Sequence, residues 1–74
     1  MGDIRVGDLV RLKQDVPLTS LRGQVGIVRG VNIKRGHFGV QFGRTPTLAV
    51  YLYEIDAVKR GGQWLTQVDG VWSA

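Results

Sequence analysis

The sequence predicts an all-β protein, a small five-stranded barrel with a short 3₁₀ turn before the last strand and an extra C-terminal hairpin. Three observations predict it. Apolar residues alternate with polar ones over short runs and are nowhere sustained at the spacing of an amphipathic helix. Eleven glycines are spread through 74 residues, so breaks fall between almost every pair of runs. The dipeptides Gly61-Gly62 and Asp69-Gly70 each separate two strand-like runs, the strongest short-range signal for a hairpin.

The elements follow in order. Val6-Gly7-Asp8 turns the chain into "LVRLK", where Val10 and Leu12 share one face and Arg11 and Lys13 the other. Residues 14 to 23 hold Pro17 with Leu18 and Leu21, which predicts a long loop folded back over the barrel mouth with its leucines capping the core. The second strand, "QVGIVRGV", is interrupted by Gly26 and Gly30, where small barrels bulge or bend. After the break "NIKRG", the third strand "HFGVQF" sends Phe38, Val40 and Phe42 inward and His37, Gly39 and Gln41 outward. The fourth, "TLAVYLY", puts Leu48, Val50 and Leu52 on one face and Thr47, Ala49, Tyr51 and Tyr53 on the other. Leu52 and Ile55 suit a 3₁₀ turn leading into a fifth strand, "AVKR". Across Gly61-Gly62, Val58 then faces Leu65 and Lys59 faces Trp64; across Asp69-Gly70, Val68 faces Val71. The sequence therefore divides into a barrel at 1–60 and an extension, read as a hairpin, at 61–74.

A chain of this length buries only about 60% of its unfolded surface. With no cysteine and one histidine it has neither disulfide nor metal to add stability, which leaves self-association through the C-terminal tail as an expectation. No apolar run approaches a membrane span, residues 1 to 10 do not read as a signal peptide, and the absence of cysteine fits a reducing compartment. The expected location is the cytoplasm. The net charge is +4, and it is unevenly placed. Between Asp15 and Glu54 there is no acid, while Arg22, Arg29, Lys34, Arg35 and Arg44 all fall there. Such asymmetry favours an acidic or polyanionic partner, against the plainer reading of a solvating basic surface.

The segments "VGDLVRLKQD", "LRGQVGIVRGV", "FGVQF" and "LAVYLYEIDAV" resemble the small bacterial SH3-like barrels, in particular the domain of unknown function 4926 family, over residues 6 to 59. Asp15-Val16-Pro17 and Gly23-Gln24-Val25-Gly26 carry the likeness, which implies a fold far more than a function. The stretch "GQVGIVRGV" also resembles the KOW modules of ribosomal and transcription-elongation proteins, which implies contact with RNA or RNA polymerase. The strand order looks similar to the SH3-like accessory subunits of photosynthetic electron-transfer complexes, which dock acidic proteins. The plasmid-borne dihydrofolate reductase is a further SH3-like chain, active as a tetramer around a Val-Gln-Ile-Tyr strand. Here that place reads Leu48-Ala49-Val50-Tyr51, and Ala49 stands where the pore needs glutamine, which argues against that activity.

Catalytic constellations are not found. His37 is the only imidazole, so no nucleophile, base and orienting group can be assembled, and it reads as a surface histidine beside Lys34 and Arg35. Glu54 and Asp56 could approach each other, but a filled barrel offers no cleft between them and they read as solvated charges. One histidine and scattered acids provide no metal-ligand spacing. Gly23, Gly26 and Gly30 do not match a phosphate loop and serve backbone geometry. No catalytic, cofactor or metal residue is assigned.

What remains is surface recognition. Lys34 and Arg35 occupy the tip of the loop "NIKRGH", Arg29 and Arg44 lie near the ends of neighbouring strands, and Tyr51 and Tyr53 supply exposed aromatic anchors. The expected function is a noncatalytic adaptor or accessory subunit that docks an acidic protein through these six residues. KOW-like binding of RNA or DNA on the same surface is the alternative, with Trp64 and Trp72 as further rings for stacking unless they pack the tail or an interface.

Overall fold

The protein is described by a computed structural model covering residues 4 to 68 and 71 to 74, so the Asp69-Gly70 turn lies outside the described residues. The fold is all-β. Seven strands, β1 (Leu9–Leu12), β2 (Val25–Asn32), β3 (His37–Gln41), β4 (Leu48–Tyr51), β5 (Ile55–Arg60), β6 (Gln63–Val68) and β7 (Val71–Ser73), form one open antiparallel sheet. Its spatial order is β4-β3-β2-β1-β5-β6-β7. The five strands read from the sequence are thus seven in a single sheet, because β6 continues the ladder from β5 without a break.

That ladder follows from local chemistry. Gly61 and Gly62 both adopt positive φ, 58° and 78°, the two-residue turn whose twist matches that of the flanking strands. Arg60 consequently faces Gln63, Lys59 faces Trp64 and Val58 faces Leu65, as the sequence predicts, and Val68 faces Val71 in the next pair.

The apolar face is buried by curvature of the sheet. Seven flat strands at about 4.8 Å spacing would set the two edges roughly 29 Å apart. Yet Val50 on one edge strand belongs to the same apolar cluster that Trp72 on the other edge strand packs against, so the sheet curls over its own inner face. Val10, Val28, Val40 and Val58, one from each of four strands, are fully buried at its centre. Two irregularities in the ladder assist the bending: β2 slips register against β3 between Val28 and Gly30, and β1 against β5 between Arg11 and Leu12. The bulge on β2 therefore falls at Arg29, between the two glycines that signalled it.

The remaining elements close the ends. The 3₁₀ turn Leu52–Glu54 begins directly after β4, so Leu52 and Tyr53 leave the strand to which their alternation assigned them. β5 starts at Ile55, two residues earlier than "AVKR". The loop after β1 carries a second 3₁₀ turn, Thr19–Leu21. Leu21 packs against the core as expected of a cap, whereas Leu18 stays exposed and the buried residue of the loop is Val16. Ile4, ahead of the first turn, is also in the core.

Candidate recognition surface

β2 and β3 form a ribbon that, with the turns at its ends, carries Arg29, Lys34, Arg35 and Arg44 and no acid. At one end the chain reverses through residues 33 to 36. Gly36 adopts φ 67° and its N–H donates to the Ile33 carbonyl at 3.3 Å, while the Arg35 N–H donates to Asn32 Oδ1 at 3.1 Å. The Asn32 side chain thus holds the turn in shape. Lys34 and Arg35 project from its apex, exposed, and neither forms an ion pair among the described residues.

The opposite end of the ribbon is built by hydrogen bonds to neutral partners. Arg29 Nε donates to Gln41 Oε1 at 3.0 Å, and Gln41 Nε2 donates to the Thr45 carbonyl at 3.2 Å. That contact ties Arg29 to the 42–45 turn, where Arg44 follows Gly43 at φ 62° and Thr45 caps the Phe42 carbonyl with both its N–H and its hydroxyl. The Arg29 side chain therefore reaches from the middle of the ribbon toward the end that carries Arg44, and Lys34 and Arg35 occupy the other end. Gln41 lies four positions from His37, about 13 Å along β3.

The two tyrosines lie toward the Lys34 end. Tyr51 faces His37 across β3 and β4, its ring edge-on to the imidazole at 5.8 Å, and His37 in turn faces Asn32 at the base of the turn. Tyr53, although in the 3₁₀ turn, stacks on Tyr51 at 5.6 Å with 15° between ring planes. Glu54 Oε1 accepts the Tyr51 N–H at 2.9 Å and steadies the start of that turn. His37 is half-buried and its Nδ1 has no hydrogen-bond partner among the described residues, a more enclosed position than that of a surface histidine. Glu54 and Asp56 are engaged separately, Glu54 with the Tyr51 amide and Asp56 with Arg11.

Paired charge lies elsewhere in the sheet. Arg11 bridges Asp56 at 2.9 Å across β1 and β5, and its guanidinium sits 5.3 Å from the centre of the Trp64 ring, with the Lys59 ammonium at 5.9 Å. Arg60 bridges Asp8 at 2.6 Å. Burial favours the neutral form of Asp8, but the Arg60 hydrogen bond, the Arg5 N–H and the charges of Arg60 and Arg5 outweigh it and hold the carboxyl below its ordinary value. Trp72, by contrast, packs against the core, with its indole N–H buried and without a hydrogen-bond partner among the described residues.

Two apolar depressions border the basic ribbon. One, of about 290 Å³, lies between the long loop and β4, with Pro17, Leu18, Leu48, Tyr51 and Tyr53 among its walls. The other, of about 360 Å³, lies between the N-terminal segment and the 33–36 turn, bounded by Ile4, Arg5, Val31, Ile33, Phe38 and Leu52. Of the partner-binding residues expected from the sequence, Tyr51 and Tyr53 line the first and none lines the second. The adjacency of "IK" to "KR" was the available signal, since an isoleucine at a loop tip is out of place unless something covers it.

Among the described residues no cluster of histidines, cysteines and acids could hold a metal ion, and no helix is long and apolar enough to cross a membrane. Compared with protein families, with curated proteins and with solved structures, the chain matches none.

Proposed function

We propose that the protein is a noncatalytic binding module, an SH3-like barrel that docks an acidic protein partner through Lys34, Arg35, Arg29 and Arg44, with Tyr51 and Tyr53 as aromatic anchors. The observation that carries this reading is the segregation of charge. Among the described residues, the ion pairs lie on the β1–β5 side of the sheet, whereas the acid-free stretch folds into the adjoining β2, β3 and β4 with its cations unpaired or bonded only to neutral groups. Unpaired cations grouped on one surface raise the local potential and steer an acidic partner. The curled sheet and the 3₁₀ turn before β5 are what an SH3-like barrel would have, and such a barrel supplies a scaffold without a reaction.

A second reading, KOW-like binding of single-stranded RNA or DNA, is favoured by one observation, the exposed Tyr51–Tyr53 stack beside the basic turn. Titration at low salt separates the two. An acidic peptide is expected to bind, with the Lys34→Glu, Arg35→Glu variant losing at least about tenfold in affinity while keeping its circular dichroism spectrum. Tighter binding to single-stranded oligonucleotides, with quenching of tyrosine fluorescence, would select the nucleic-acid reading instead. No response to either at about 50 mM salt, where phosphate contacts are strong, would remove both.

A further inference from the structure

The 360 Å³ depression beside the 33–36 turn is unusual in its surroundings. Its buried lining is Ile4 and Phe38, Leu52 is half-buried, and Val31 and Ile33 are its exposed lining. Ile33 is 88% exposed in the turn and Val31 40% at the end of β2 beside it, so the chain holds two β-branched apolar side chains where solvation would favour polar ones. The turn geometry does not require them: it is made by Asn32 and Gly36. Arg5 lies on the rim, and Lys34 and Arg35 sit between the two lining residues Ile33 and Gly36. Among the described residues no acid lines the depression.

From this juxtaposition we infer that the depression is the anchor pocket for an acidic segment of the partner, one that carries a single large apolar side chain among aspartates and glutamates. The inference rests on the acidic-partner reading and specifies it. The apolar side chain would fill the space between Ile33 and Phe38, and the flanking carboxylates would meet Arg5, Lys34 and Arg35. Shape favours a peptide over an anionic membrane, because a bilayer is entered by protruding apolar groups and here a concave site is offered with one protruding wall. Apolar burial supplies affinity, and the cationic rim sets which segments are admitted.

The test uses two synthetic peptides of equal charge, one with a leucine at the centre of an acidic run and one with serine there, titrated into the whole protein by NMR. The leucine peptide is expected to bind about tenfold more tightly than the serine peptide and to shift the methyl resonances of Ile4, Val31, Ile33 and Leu52. The Ile33→Ser variant, altered at a side chain that contributes almost nothing to the core, is expected to abolish the difference while leaving the weaker binding of the serine peptide. Equal affinity for both peptides would overturn the pocket and leave the basic surface standing. Binding of neither would overturn both. Sedimentation with vesicles containing phosphatidylserine, lost in Ile33→Ser, would overturn the peptide in favour of a membrane.

Discussion

Asp8 closes the first turn of the chain and pins it to the last residue of β5. Its Oδ2 accepts the Arg5 N–H at 2.9 Å, and the same carboxylate bridges Arg60, fifty-two positions away in sequence. Asp8→Ala removes the acceptor of the Arg5 N–H together with the bridge to Arg60, and is expected to cost roughly 2 kcal/mol in chemical denaturation. Because the carboxyl is held below its ordinary value of about 4, its contribution is complete above that pH and is lost as the pH falls through the lower value of the folded state. The melting temperature should therefore drop on acidification below about pH 4, and Asp8→Asn should flatten that limb. Gly26 is the second residue on which the fold depends. A Cβ there would come within 2.6 Å of Val40 Cγ1, 2.8 Å of Phe42 Cδ1 and 2.9 Å of the Gln41 carbonyl, so Gly26→Ala is expected to destabilise by about 1–3 kcal/mol. In contrast, nothing lies near Gly30, where φ is not positive, and Gly30→Ala should be far milder.

At the level of elements, the consequence of greatest weight is that β6 and β7 extend the sheet and return an indole to the core. Trp72 packs against the apolar cluster, and β6 satisfies the edge of β5 from Ala57 to Arg60. Truncation after Arg60 would strip that edge and uncover the core at Trp72. The expected outcome is a marked fall in melting temperature, or self-association through the exposed β5 edge, read by sedimentation. An unchanged melt would show the hairpin to be an ornament. The hairpin itself was legible in sequence because two adjacent glycines can adopt the paired positive φ that a tight turn requires. The end of β4 was less so. Alternation continued through Tyr53, but the Glu54 side chain captures the Tyr51 amide and starts the 3₁₀ turn there.

For the molecule as a whole, one sheet with one core predicts one transition. Tryptophan fluorescence reports on β6 and β7, and far-ultraviolet circular dichroism on all the strands. Their thermal melts are expected to coincide, since β5 contributes to the core and joins β6 and β7 to the rest of the ladder. A separate early transition in fluorescence would show that the hairpin opens independently. The same arrangement sorts the acids: the ion pairs of the described residues involve β1, β5 and the turn before β1, while β2, β3 and their turns carry cations and no acid.

What the sequence by itself determined was local: the strand class from alternation, the register of three cross-strand pairs from Gly61-Gly62 and its neighbour, and the concentration of cations between Asp15 and Glu54. These properties depend on residues close along the chain, where backbone geometry and side-chain period suffice. Only the tertiary structure decided what lay together across distance. It brought Ile4 and Leu52 beside Val31 and Phe38, divided Arg29 and Arg44 from Lys34 and Arg35, and set Tyr53 on Tyr51 from outside the strand. The physical reason is the curl of the sheet, which sets segments from the two ends of the chain against its middle and so makes neighbours that no spacing in the sequence records.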